Sequence, residues 1–290
     1  MYSETFSENW INLGNLNPGS LVHSRHQLHQ AVQLVAAVGR NYHLPEKDDP
    51  FGNLEWLPDI NGLAGWDVDT SSGKIKCALN FDSFTLQFLV DGIPEQSISL
   101  DGKLDQSILQ EMQNALDSLG LNGSKLDLNK PYKIPEYKIG QSDGYATNPK
   151  EFKEFSKYFG NAHAVLKALA ANLEGASDVK CWPHHFDIAT LITLTDTGDP
   201  ETSSSIGVGL SPGDESYQEP YFYISPWPYP GLNIKKLPKL SVGHWHTEGF
   251  VAAVLTATTL RQEGLGNNQI DAVSKFLEEG MDQAKKLTAS

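Results

Sequence analysis

KIKCALNFDSFTLQFLVDG, residues 74–92, is dense in aromatic and β-branched residues and is bounded by turn formers. That composition predicts several antiparallel strands between Asn53 and Leu100. Helical spacing flanks them on both sides. Upstream, Leu28, Val32, Val35 and Val38 share one face of a helix from about Ser20 to Val38, with Gly39 as its stop. Downstream, Ile108, Met112, Ala115 and Leu119 mark a second helix, with Gly120 as its C-terminal cap.

Residues 121–148 form a polar connector punctuated by Pro131, Pro135, Gly140 and Gly144; it is long for a loop and has room for a strand. Beyond it, Asn148 can cap a helix, Pro149 suits its first turn and Glu151 completes a capping box. Phe152, Phe155, Phe159, Ala162, Leu166, Leu169 and Leu173 then alternate steps of three and four along one stripe. Strands follow at FDIATLITL, SSIGVGL and EPYFYISPWPYP, the prolines of the last suggesting an edge or a rigid exit. Two closing helices are expected, from about Thr247 to Leu260 and from about Asn268 to Lys286. The fold class is α+β: largely antiparallel sheet or sheets covered by helices. Residues 1–290 form one co-folded unit with helix–strands–helix halves of about 1–135 and 136–290. One mixed sheet covered by helices fits the same order.

Charge narrows the partners. Lys and Arg number 22 against 36 Asp and Glu, a net −14, and the densest basic cluster is Lys235, Lys236 and Lys239. Phosphate backbones need a basic stripe, so nucleic acid is excluded as a partner. The longest apolar run, VAAVLTATTL, is too short to span a bilayer, so no membrane is expected either. Two cysteines, Cys77 and Cys181, make no disulfide framework, and the start MYSETFSENW has no signal-peptide pattern. A cytoplasmic location follows as an expectation, with the oligomeric state open.

The chemically richest stretch is Cys181-Trp182-Pro183-His184-His185-Phe186-Asp187. If a strand begins there, His185 and Asp187 project from one face, as a metal-ligating pair or as a base with the carboxylate that orients it. The bland alternative is a pair that satisfies itself at a strand end. Gly243-His244-Trp245-His246-Thr247-Glu248 places two more histidines two apart, with Thr247 as the expected N-cap of the next helix. That arrangement suits an anion at a helix start, or zinc or iron held by His244 and His246 with Glu248 or Asp187. Polar end-caps are the plain alternative.

Tyr221 and Tyr223 share a face with Glu219 and can wall a pocket, although aromatics that finish a core look the same. His23, His26 and His29 recur every third residue on the first helix and read as a solvated face. Gly140-Gln141-Ser142-Asp143-Gly144 matches the letters of a nucleophile elbow, but prolines precede it and no helix follows directly. Phosphate-binding glycine loops of the familiar kinds are missing.

LHQAVQLVAAVGR (28–40), CWPHHFDIATLITL (181–194), SPGDESYQEPYFYISPWPYP (211–230) and GHWHTEGF (243–250) together resemble a bacterial family known only as a domain of unknown function. The resemblance spans nearly the whole chain. It implies a bacterial origin and a single co-folded unit, and it carries no catalytic residue.

The site expected from these segments is a pocket for a small polar or anionic molecule, built where the HHFD, EPYFY and HWHTE segments converge. Trp182, His184, Glu219, Tyr221, Tyr223, Trp245 and Thr247 would contact the ligand. In an enzyme, His185 and Asp187 would be catalytic, a divalent metal (zinc or iron) would sit among His185, Asp187, His244, His246 and Glu248, and the reaction would be that of a hydrolase or lyase. The alternative is a non-catalytic ligand-binding or interaction module with a histidine- and aromatic-rich site.

Overall fold

A computed structural model describes residues 10–46, 49–71, 73–199, 202–229 and 237–288. The chain start through residue 9, Pro230, and the Lys235 and Lys236 of the basic cluster lie outside the described residues. Two compact units are assembled from interleaved stretches. The first consists of Leu21–Ser156 and Lys180–Phe186; the second of Met1–Ser20, Lys157–Val179 and Asp187–Ser290. The connector 121–148 therefore lies wholly inside the first unit. The fold is α+β, with two antiparallel sheets and five α-helices among the described residues.

The first unit begins with α1 (Val22–Tyr42), buried almost all round from Ser24 to Gly39. Gly39 does not end it. A Cβ at that position would stand 2.1 Å from the carbonyl oxygen of Phe51, so this glycine lets two backbones touch. The helix continues to Tyr42, past the expected stop.

The expected strands follow: β1 (Glu55–Leu57), β2 (Gly62–Ala64), β3 (Val68–Thr70), β4 (Gly73–Asn80), β5 (Thr85–Val90) and β6 (Ile93–Ser99). They pair in the order β1-β2-β4-β5-β6, with β3 also on β4. The 74–92 stretch is the β4–β5 hairpin, its turn plugged by buried Phe81 and Phe84. α1 packs on β2 and β4, and α2 (Asp105–Ser118) packs on β6. Ile108, Met112 and Ala115 face inward as their spacing requires, and Gly120 follows the helix at φ +86°.

The connector contains a 3-10 turn at Gly123–Lys125 and isolated bridges, and no strand. Polar side chains of α1 strap it down. Asn41 Nδ2 donates to the Asp127 carbonyl (3.0 Å), the Tyr42 hydroxyl to the Asn122 carbonyl (2.7 Å), and the Ala146 N–H donates to Gln27 Oε1 (3.1 Å). α3 (Pro149–Ala170) buries Phe152 and Phe155 in this unit and Phe159, Ala162, Leu166 and Leu169 in the second. β7 (Lys180–Trp182) returns to the first unit, where Cys181 and Leu54 exchange backbone hydrogen bonds of 2.7 and 2.9 Å.

The second unit holds β8 (Asp187–Thr195), β9 (Ser204–Ser211), β10 (Tyr221–Trp227), β11 (His244–His246) and β12 (Ala252–Thr256), ordered β11-β12-β10-β9-β8. α4 (Ala257–Gln262) and α5 (Asn267–Thr288) close it, and α5 lies on β9 and β10. Three expectations are corrected here. No helix starts at Thr247: Ala252–Thr256 is a strand buried along its whole length, and Thr256, not Thr247, caps α4 by accepting the Thr259 N–H. An apolar run buried on both sides has neither period, so a helix and an inner strand look alike in it.

β10 is not an edge strand, since it lies between β9 and β12. Its pairing with β12 ends at Ile224, however, so Pro226 sits where only β9 is a neighbour. Finally, β8 starts at Asp187, after a turn in which Phe186 has φ +60°. His185 lies in that turn, and the strand alternation that placed it beside Asp187 does not apply.

Among the described residues no helix is long and apolar enough to cross a membrane.

Candidate functional site

The first unit contains a cavity of about 680 Å³ at the C-terminal end of α1. Three stretches line it: Arg40 to Asn53 (of which 47 and 48 are not described), Asp127 to Tyr132 of the strapped connector, and Trp182-Pro183-His184. Each wall is held from behind by polar chemistry that the packing dictates.

Arg40 occupies the last turn of α1, where a cation is favoured by the helix dipole. Its Nε donates to Asp49 Oδ2 at 3.0 Å, one terminal nitrogen to the Asn129 carbonyl at 2.9 Å, and the other to the Tyr132 hydroxyl at 3.0 Å. The Tyr132 hydroxyl in turn donates to Gln33 Oε1 (2.9 Å), and Gln33 Nε2 donates to the Pro183 carbonyl (2.7 Å). Burial above all raises the Tyr132 phenol to about 12, so it remains a donor. Asp49, with φ +48°, keeps its carboxyl above the usual range because burial outweighs the guanidinium beside it.

The Pro183 carbonyl also accepts from His29 Nε2 at 3.0 Å. A carbonyl can only accept, so Nε2 carries the proton; Nδ1 is then the acceptor for the Tyr137 hydroxyl at 3.0 Å. His29 is 6 % exposed and stacks on Phe186 with centroids 5.5 Å apart. Burial is the main cause that lowers its pKa to about 4. The expected solvated face of the first helix thus holds for His23, which is exposed; His26 stacks on Tyr137 at 4.6 Å, and His29 belongs to the core that fixes the 182–186 turn.

Aromatic groups form much of the wall. Phe51 is backed by His43, stacked at 4.3 Å. His184 stands 5.3 Å from the Tyr132 ring and 6.2 Å from Trp182. Burial, then the neighbouring His185 ring at 4.2 Å, lowers the His184 pKa to about 4, so the imidazole is uncharged near neutral pH. Of the expected ligand contacts, Trp182 and His184 line this cavity; His185 is exposed and does not.

The other expected residues belong to the second unit, and most have structural employment there. Asp187 Oδ2 accepts the Tyr223 hydroxyl at 2.5 Å, and Asp214 Oδ2 accepts that of Tyr221 at 2.6 Å. Glu219 Oε2 accepts the Thr258 N–H at 2.6 Å in the first turn of α4, and Trp245 Nε1 donates to the Pro238 carbonyl at 2.9 Å. Thr247 and Glu248 are exposed.

His244 and His246 do share one face of β11, and both meet the Tyr217 hydroxyl, at 2.9 Å from Nε2 and 3.1 Å from Nδ1 respectively. His246 Nε2 lies 2.7 Å from the Glu248 carbonyl and must donate to it. With uncharged rings the chain therefore runs from His244 Nε2–H to the Tyr217 oxygen, and from the Tyr217 O–H to His246 Nδ1. Phe250 stacks on His246 at 4.1 Å. Among the described residues no three His, Cys, Asp or Glu side chains gather as a metal ion requires. Sequence reading missed Asp214 here, and Arg40, Asp49, Phe51, Lys130 and Tyr132 in the cavity. Arg40 carried the one available signal, as one of three arginines in the chain.

A fold of two antiparallel sheets with helices, bearing an aromatic cavity in one unit, is the class these observations define. Comparisons with known protein families, with curated proteins and with solved structures each find no match to this chain.

Proposed function

We propose that the chain binds a small ring-bearing molecule in the first unit's cavity, with Trp182, His184, Tyr132 and Phe51 as its walls. The supporting observation is a cavity of about 680 Å³ whose guanidinium and Tyr132 ring are already tied down by hydrogen bonds, with Phe51 stacked on His43 and His184 in ring contact with Tyr132. Ligand sites fall in this size range, and walls fixed beforehand lose little entropy on binding. The test is a thermal-shift series with planar anionic, neutral and cationic ring compounds. A binder present at about 100 times its Kd should stabilise the protein by about 2.7 kcal/mol. Trp182→Ala should abolish the shift while leaving the free protein folded. A series in which no compound raises the midpoint, or in which the variant responds like the wild type, would remove this reading.

A second reading attaches to the His244–Tyr217–His246 chain, which can pass a proton between its ends and keeps a hydrolase or lyase with zinc or iron as a proposal. His246 donates one ring N–H to a backbone carbonyl, as metal-binding imidazoles commonly do, and a metal on its Nδ1 would replace the Tyr217 hydroxyl there. Metal analysis of untagged protein tests it. Stoichiometric metal that is lost in both His244→Ala and His246→Ala is the expected result; metal retained in both variants, or absent from the wild type, overturns it.

A further inference from the structure

Lys130 lines the cavity and is half-buried, yet among the described residues no hydrogen bond or ion pair holds its ammonium. The other cation of the wall, Arg40, is neutralised by Asp49 at 3.0 Å. Two further carboxylates line the cavity, Glu46 and Asp127, and both are exposed. Asp127 Oδ1 is engaged by the Asn129 N–H at 2.8 Å. Water screens exposed charges, whereas a half-buried ammonium next to aromatic walls acts through a lower dielectric. Among the described lining residues, then, the Lys130 ammonium is half-buried and unpartnered while the unpaired carboxylates are exposed, and the Arg40 guanidinium lines the same cavity. Burial is the main cause that lowers the Lys130 pKa; Asp105 acts against it and Arg40 with it.

Building on the ligand-binding reading above, we infer that the cavity selects a planar aromatic anion, with the ring between Trp182 and Phe51 and the carboxylate or similar group on Lys130. The two Arg40 N–H groups not used by Asp49, Asn129 or Tyr132 supply a second point of attachment for the same anion. A neutral ring of the same shape would leave the ammonium unpaired in a place where water is partly excluded. A cationic ring would add repulsion to that loss.

The experiment titrates 2-naphthoate, 2-naphthamide and 2-naphthylmethylammonium into the full chain by calorimetry, with Lys130→Met and Trp182→Ala alongside. Naphthoate should bind at least about ten-fold more tightly than the amide, as expected for a charged hydrogen bond. Lys130→Met should bring naphthoate to the level of the amide and leave the amide unchanged, the latter serving as its control for folding. Trp182→Ala should weaken all three. Equal affinity for acid and amide, or a Lys130→Met effect of the same size on both, overturns the anion inference and leaves the ligand-binding reading standing. Failure of all three compounds to bind removes both.

Discussion

Gly39→Ala is expected to lower the thermal midpoint by several degrees, although alanine is the better helix former. Mid-helix glycine forgoes about 1 kcal/mol of helix propensity, so an exposed site would gain on substitution. Here the added methyl would stand 2.1 Å from the Phe51 carbonyl oxygen, and backbone cannot swing aside as a flexible side chain can. Forcing α1 and the Phe51 segment apart should cost about 3 kcal/mol, for a net loss of about 2 kcal/mol. Phe51 is also a cavity wall, so ligand affinity should fall in the same variant. Thermal unfolding of Gly39→Ala against wild type decides the matter: a higher midpoint would mean that the two backbones do not touch.

Acidification should destabilise the first unit well before ordinary carboxylates titrate. The pKa of His29 is lowered to about 4 in the folded protein from an ordinary 6.5. Between these values the unfolded chain binds a proton that the folded one refuses. Stability from the neutral imidazole is therefore complete above about pH 6.5 and is lost as the pH falls towards 4. A shift of that size corresponds to roughly 3 kcal/mol. The groups that bear on His29 act together: Arg25, His26 and His185 all disfavour its charged form, while the Pro183 carbonyl favours it. His29→Gln removes the titration, so its urea midpoint should change less than the wild type's between pH 6.5 and 4, whatever its value at pH 7. Parallel curves for the two proteins would show that His29 is not buried as a neutral ring.

Legibility in the sequence followed how local the responsible physics was. The β4–β5 hairpin, the spacing of α2, the stripe of α3 and the long final helix were all readable, because side-chain period and chain punctuation act over a few residues. β12 was not, since a strand buried on both faces shows no alternation. The Phe186 turn was not either: a left-handed phenylalanine between two histidines and an aspartate leaves no mark in composition. Trp182 and His184 stood out as chemically loaded and do line the cavity, but Glu219, Tyr221, Tyr223 and Trp245 looked equally loaded and form internal bonds.

By itself, the sequence determined an α+β chain with antiparallel sheets, a net charge of −14, and the positions of most helices. These depend on periodicity and net charge, which are sums over neighbours along the chain. Only the tertiary structure decided that Arg40 meets Asp49, Asn129 and Tyr132, that His29 anchors the turn bearing His184, and that Lys130 lines the cavity with no hydrogen-bond or ion-pair partner among the described residues. A site is made by groups up to 154 residues apart brought within hydrogen-bond reach, and that proximity is a product of packing which no local pattern encodes.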